Sequence, residues 1–140
     1  MTAPPLPREV KVAFDAYPAS IRRRLLQVRS LIFATAKAHD AVGRLTETLK
    51  WGEPAYLTED TGSGSTIRLG RVKNSEAHAA VLFNCKTTLV ETFRERFPDE
   101  FEYRQNRELL LEVSGALPKR PLAICLSLAL TYHLDRKAKR

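Results

Sequence analysis

The stretch Leu49-Lys50-Trp51-Gly52-Glu53-Pro54-Ala55-Tyr56 contains the only tryptophan of the chain. A strand-like run reaches Trp51, breaks at Gly52 and Pro54, and restarts with Tyr56. Glycine supplies backbone freedom at such a break, whereas proline removes an amide donor and favours an extended conformation in the residue before it. We therefore expect the break to place the rings of Trp51 and Tyr56 near a sheet edge or the wall of a pocket.

Alternating apolar and polar residues predict strands on both sides of this break. The predicted strands lie at residues 45–51, 55–58, 66–72 and 78–85, and a hairpin follows within residues 101–113. The connections between the first four strands are short, which favours antiparallel pairing over crossover units. Glycine and serine dominate residues 59–65, so this segment is expected to be a flexible hairpin tip.

Apolar residues at helical spacing predict four helices, at residues 8–17, 20–39, 86–97 and 121–138. A capping box, Thr88-Leu89-Val90-Glu91, marks the start of the third. The last helix is apolar nearly all round, so it is expected to be buried in the core or in a subunit interface. This order predicts an α+β fold, a two-layer sandwich of an antiparallel sheet with helices packed on it. We expect one domain, residues 1–140, with a loose N-terminal arm at residues 1–7.

Composition indicates an ordinary globular chain, with 44% hydrophobic and 28% charged residues. Its longest uncharged apolar run, Leu122–Leu134, is shorter than the ~20 residues that cross a bilayer. The two cysteines, Cys85 and Cys125, form neither a CxxC pattern nor a disulfide framework. No signal peptide is recognisable at the N-terminus, so a cytoplasmic location and no membrane partner are expected.

The net charge of +7 has two readings. Most cations are scattered, apart from Arg22-Arg23-Arg24 and the tail at residues 136–140. They are either a solvated surface or an anion-attracting face. Enzymes of standard classes are not expected, because the chain has no Gly-x-Ser-x-Gly elbow, no Walker motif and no histidines at metal-ligand spacing.

Three segments carry a resemblance to a known family. They are Tyr17-Pro18-Ala19-Ser20-Ile21-Arg22 leading into a long helix, the stretch 49–56 quoted above, and Phe93-Arg94-Glu95-Arg96-Phe97-Pro98. With the closing helix they cover nearly the whole chain, which resembles the YdhG-like family of small bacterial domains of unknown function. The resemblance implies a frataxin-like sandwich. One group of members is described as an intracellular iron chaperone, which implies iron as an alternative ligand.

A frataxin-like iron site requires clustered carboxylates, because a hard cation prefers oxygen ligands. The one dense acidic cluster that would serve it is Glu91, Glu95, Asp99, Glu100 and Glu102. The first two helices carry mainly cations, which repel iron. Glu91 and Glu95 also fit a solvated helix surface paired with neighbouring arginines.

The segment Asn84-Cys85-Lys86-Thr87-Thr88 is the best local candidate for a binding site. The first amides of a helix lack internal partners and attract anions, and Lys86, Thr87 and Thr88 add a charge and two hydroxyl donors. The same positive field would lower the pKa of Cys85 and make it a reactive thiol. An ordinary helix cap, with Cys85 as a small buried side chain, explains the same residues.

These observations favour a non-enzymatic binding module for a small anionic ligand, without a cofactor. Its pocket is expected to be walled by Trp51 and Tyr56 and polarised by Lys86, Thr87 and Thr88. The alternatives are the iron chaperone and nucleic-acid association through Arg22, Arg23 and Arg29, which is ranked last because no nucleic-acid motif accompanies them. A homodimer through the final helix is compatible with each. Glu47 requires a partner if it points inward with Leu45 and Leu49.

Overall fold

Two helices, four strands, a helix, a strand pair and two further helices follow one another along residues 3–138, the part of the chain that this computed structural model describes, with side chains described for residues 3–137. The helices are α1 (Arg8–Asp15), α2 (Ala19–Lys37), α3 (Leu89–Arg96), α4 (Lys119–Leu130) and α5 (Tyr132–Ala138). The strands are β1 (Thr46–Lys50), β2 (Glu53–Leu57), β3 (Ile67–Arg71), β4 (His78–Leu82), β5 (Glu102–Arg104) and β6 (Glu108–Glu112). Residues 1–2 of the predicted arm and residues 139–140 of the basic tail lie outside the described residues.

One antiparallel sheet contains all of these strands, in the order β1-β2-β3-β4-β6-β5. Consecutive strands pair through short loops up to β4. The chain then leaves the sheet through α3 and returns at the far edge as β5, whose hairpin brings β6 beside β4. The predicted α+β class is confirmed. No helix within residues 3–138 is both long and apolar enough to cross a membrane.

The two faces of the sheet differ in what covers them. On one face α1 packs against β1 and β2, and α2 packs against β3 and β4, with α4 lying on α2 and α3. The large apolar core lies between these layers and includes Leu69, Val81 and Leu109 from the strands. The opposite face, called here the open face, carries a smaller cluster of Ala80, Leu82 and Leu110 with Val72 against it.

The break at Trp51 and Gly52 is a two-residue hairpin turn. Lys50 pairs with Glu53, and Leu49 pairs with Pro54, so pairing resumes at once on both sides of the turn. Both turn residues have positive φ, 55° and 75°, the signature of a type I′ turn. Strand β2 therefore begins two residues earlier than the sequence predicts.

Residues 59–62 of the predicted hairpin tip are exposed, whereas residues 63–65 are docked against the last two helices, which the sequence did not predict. The Ser65 amide donates to the Ala129 carbonyl at 2.9 Å, and the Ser63 carbonyl accepts from the His133 amide at 2.9 Å. The buried Ser63 hydroxyl donates to the Leu130 carbonyl, also at 2.9 Å. These bonds replace bonds that a continuous helix would make at this point, which explains why the single predicted final helix is divided into α4 and α5.

The apolar face of α4 lies in the core of its own chain. Its buried residues are Leu122, Cys125, Leu126, Ala129 and Leu130. Burial raises the pKa of the Cys125 thiol to about 12, so this cysteine is un-ionised at neutral pH. A homodimer through the final helix stays a prediction.

A buried ion pair joins the middle of α2 to β1. The Arg29 guanidinium donates to both carboxylate oxygens of Glu47, at 2.6 and 2.8 Å, and to the Pro4 carbonyl at 2.6 Å. The Tyr56 hydroxyl donates to Glu47 at 2.8 Å. Glu47 was expected to need a partner if it pointed inward, and it has two, Arg29 and Tyr56. The bond to Pro4, together with the packing of Leu6 on the core, attaches the described part of the N-terminal arm.

Candidate functional site

A cavity of about 400 Å³ lies at one end of the open face. The β1–β2 turn, β2, β3, the residues after β4 and the β5–β6 turn line it, and it is open to solvent. Its lining residues are Lys50, Trp51, Leu57, Thr66, Arg68, Phe83, Asn84, Cys85 and Arg107. Two stretches that the sequence singles out, at Trp51 and at Asn84-Cys85, therefore meet in one site although they belong to different hairpins.

The Trp51 side chain is held out into solvent by a costly backbone conformation. It is 88% exposed, and its φ of 55° lies in the left-handed region. That region costs a residue with a side chain roughly 1–2 kcal/mol, and asparagine or glycine would fill the position better. Burial of the indole does not offset this cost. Backbone strain combined with an exposed aromatic ring points to a binding role at this position.

Three cations line the same cavity as the ring. Lys50 and Arg107 are exposed, and Arg68 donates to a carboxylate oxygen of Glu53 at 2.9 Å. The lining residues include no carboxylate, so the cavity itself is positively charged. Such a site attracts an anionic ligand because the low-dielectric walls concentrate the field of the cations.

Glu53 sets the charge next to this cavity. Its carboxylate lies over Gly70, where any Cβ atom would collide with it. Burial raises the pKa of Glu53 above its usual value, while Arg68 and Arg107 lower it and Glu108 raises it further. Ionised Glu53 offsets part of the positive charge of the two arginines, whereas protonated Glu53 does not.

We expect the affinity for sulfate to rise as pH falls through the raised pKa of Glu53, because protonation removes the negative charge beside Arg68. Sulfate is the suitable probe, since its own charge stays constant over this range. The Glu53→Gln variant should bind sulfate more tightly at neutral pH and show a flatter pH profile. Calorimetric titration at several pH values measures both. The matched control is Glu91→Gln, on the exposed surface of α3. If Glu53→Gln keeps the wild-type pH profile, Glu53 does not control the site.

The predicted amide cradle at residues 84–88 is already occupied by the chain itself. The Lys86 amide donates to the Asn84 side chain at 2.9 Å, and the Thr87 amide donates to the Asn84 carbonyl at 3.1 Å. The Thr88 amide donates to the Tyr132 hydroxyl at 3.2 Å, and the Leu89 amide to the Thr87 hydroxyl at 3.3 Å. These amides are satisfied internally, so an anion would have to displace existing bonds.

The capping box expected at Thr88 and Glu91 is wrong as well, since Thr88 makes no side-chain cap hydrogen bond. Thr88 instead lines a separate cleft of about 340 Å³ with Tyr132 and Arg136. Neither Lys86 nor Thr87 is among the lining residues of the Trp51 cavity. From the predicted segment, Asn84 and Cys85 alone reach this cavity.

Tyr56 lies on the opposite face of the sheet from Trp51's cavity. It is fully buried, its hydroxyl is bonded to Glu47, and its ring meets that of Phe33 edge to face at 5.8 Å. Burial, reinforced by the Glu47 charge, raises the pKa of its hydroxyl. The expectation that both rings wall one pocket is therefore wrong. Trp51 lies in the turn and lines the cavity on the open face, whereas Tyr56 points to the core.

The predicted acidic cluster is only partly assembled. Asp99, Glu100 and Glu102 line a cleft of about 420 Å³ at the other end of the open face, together with His78 and Glu112. The remaining members, Glu91 and Glu95, lie on α3 and are not among its lining residues. Within residues 3–138, no group of three or more His, Cys, Asp or Glu side chains is arranged to hold a metal ion. The iron alternative stays a prediction.

The arginines expected to form a nucleic-acid face on α2 do not share one surface. Arg29 is buried against Glu47, with 7% of its side chain exposed. Arg22 donates to the Asp15 and Tyr17 carbonyls at 3.3 and 3.4 Å. Arg23 is exposed. The predicted nucleic-acid face of Arg22, Arg23 and Arg29 is therefore wrong, because a phosphate backbone could not reach Arg29.

The three cations of the cavity were missed by the sequence interpretation. Arg68 stands between two apolar residues in β3, and this alternation already places it on the face away from the core. Lys50 follows from the same rule in β1. Arg107 gives no such signal, because it reaches the site from the β5–β6 turn, through a sheet order that the sequence does not reveal.

Neither the known protein families, nor the curated proteins, nor the solved structures compared with this chain gave a match. The YdhG-like and frataxin-like resemblance therefore stays a prediction, and the case for a function rests on the geometry of the site.

Proposed function

We propose that this chain is a binding module for a small anionic ligand, held in the cavity between Trp51 and Asn84-Cys85. One observation carries the proposal: an exposed, conformationally strained tryptophan and three cations line the same cavity. The volume of about 400 Å³ is within the range of small-molecule sites. Lys50, Arg68 and Arg107 supply the charge that an anion requires.

The surroundings of the cavity support binding of a compact anion. Arg68 is held in place by Glu53, with 14% of its side chain exposed, so little rotamer freedom is lost when it contacts a ligand. Asn84 uses its side-chain oxygen to accept the Lys86 amide, which leaves its NH₂ group as the donor of that side chain. Guanidinium groups bind phosphate and carboxylate oxygens through paired N–H donors.

The proposal is tested with pyrophosphate and calorimetric titration. The Lys50→Gln/Arg107→Gln variant should bind at least about tenfold more weakly than wild type, because each charge-assisted hydrogen bond contributes about 1.5–3 kcal/mol. Both side chains are exposed, so the fold should be unaffected. The matched control is Arg23→Gln/Lys73→Gln, which removes the same charge elsewhere on the surface and should bind as wild type does.

Cys85 supplies an independent readout, since it is an exposed free thiol on the wall of the cavity. Bound pyrophosphate should slow alkylation of Cys85 by iodoacetamide in wild type but not in the Lys50→Gln/Arg107→Gln variant. Equal affinity of that variant and its control, with no protection of Cys85, would contradict the proposed site. The cytoplasmic location stays a prediction.

A further inference from the structure

We propose that the ligand of this cavity combines a planar aromatic ring with a phosphate group, as a nucleotide does, and that the ring stacks on Trp51. This inference rests on the proposed function and names the class of its ligand. The cations of the cavity account for the phosphate. The indole accounts for the ring, because a bare anion makes no use of an exposed aromatic face.

The indole has no ring partner of its own among the described side chains. The aromatic pairs and the arginine–ring contacts within residues 3–137 do not include Trp51. Among the same residues, Val12 and Trp51 are the exposed large hydrophobic side chains, and Val12 is 65% exposed against 88% for Trp51. The indole therefore presents a π face of the kind on which nucleobases stack.

The turn fixes where this face lies. Lys50 and Glu53 pair directly across the turn, and the positive φ of Trp51 and Gly52 is set by its two-residue length. The ring therefore lines one cavity with Lys50, its neighbour in the chain, and with Arg68 and Arg107. A ligand that stacks on the indole places its attached phosphate toward these cations, which is the arrangement of a nucleoside phosphate.

A free nucleotide and a single-stranded nucleic acid segment share this chemistry of a base joined to a phosphate. Both stack bases on aromatic side chains and pair phosphates with cations. A single strand differs in that its binding weakens steeply with salt, because neutralised phosphates release counterions. The experiment below separates the two sources.

The fluorescence of Trp51 reports on the site alone, since the chain has no other tryptophan. Four probes are titrated: AMP, ribose 5-phosphate, adenosine and a short oligothymidylate. AMP should quench the indole and bind about tenfold more tightly than ribose 5-phosphate, the increment expected for one stacked base. Adenosine should also bind more weakly than AMP, because it lacks the phosphate. A tighter, salt-sensitive oligothymidylate complex would identify the source as a single strand.

Two variants, measured by calorimetry, decide whether the indole is responsible. Trp51→Asn should bind AMP and ribose 5-phosphate equally, while Trp51→Phe should keep part of the preference for AMP. Trp51→Asn should melt at or above the wild-type temperature, since asparagine suits the turn, so its loss of preference would not reflect unfolding. Equal binding of AMP and ribose 5-phosphate by wild type would overturn the ring inference and leave the anion site intact. Failure of every phosphate probe, pyrophosphate included, would overturn the anion site itself.

Discussion

The Glu47→Ala variant is expected to lose about 3–5 kcal/mol of its free energy of unfolding, the cost of breaking a buried ion pair by removing one partner. Glu47 and Arg29 expose 6% and 7% of their side chains, and the carboxylate accepts two guanidinium bonds and the Tyr56 hydroxyl. Without Glu47, the Arg29 guanidinium stays in the interior with its charge uncompensated. Urea denaturation followed by circular dichroism measures the loss.

Two further variants separate the charge from the packing. In Arg29→Met/Glu47→Leu both partners are replaced by apolar side chains of similar size, so this double variant should be much more stable than Glu47→Ala. Tyr56→Phe removes a single hydrogen bond to the carboxylate and should cost about 1.5–3 kcal/mol. A loss below about 1 kcal/mol in Glu47→Ala would show that Arg29 finds other partners or reaches solvent.

Gly64→Ala should also cost about 3 kcal/mol, the upper part of the range for an overpacked position. A Cβ atom at Gly64 would lie 2.6 Å from the Ala129 carbonyl oxygen and closer still to the Leu130 carbonyl. These are backbone atoms at the break between α4 and α5, so they cannot move aside as a side-chain end would. The neighbouring Ser63 and Ser65 would lose their hydrogen bonds to the same break.

The matched control is Gly62→Ala, two residues away. Gly62 has a φ of 65° but no atom within 4 Å of its Cβ position, so alanine there meets backbone strain alone, about 1–2 kcal/mol. Melting temperatures and urea midpoints of the two variants are compared. If Gly64→Ala is no less stable than Gly62→Ala, residues 63–65 do not pack against α4 as described.

The strands and helices were largely readable from the sequence, because one face of the sheet is buried and the other is not. Ile67, Arg68 and Leu69 alternate as a strand of this kind should, and apolar residues that recur at helical spacing in α2 are buried: Ile21, Leu25, Val28 and Ile32. The docking of residues 63–65 was not readable. A segment rich in glycine and serine is compatible with a solvent-exposed loop and equally with close approach to another backbone, because both situations favour small residues.

The site was harder to predict than the fold, because its residues are brought together by strand order. Trp51 and Cys85 stand at the ends of β1 and β4, and only the sheet order shows that β2 and β3 lie between them. The sequence interpretation also placed Trp51 and Tyr56 on the wall of one pocket. In the structure Trp51 belongs to the two-residue turn, whereas Tyr56 lies in β2 and points to the core with Glu47.

The position at which a small anion binds is the most direct test of the proposed site. Two-dimensional ¹H–¹⁵N NMR during titration with pyrophosphate answers this, because the single indole N–H of Trp51 and each backbone amide are observed separately. We expect saturable shifts at the Trp51 indole and at the amides of Arg68, Asn84, Cys85 and Arg107. No saturable shift, or shifts confined to residues 86–89 or to the exposed surface of α2, would contradict a binding site on the open face.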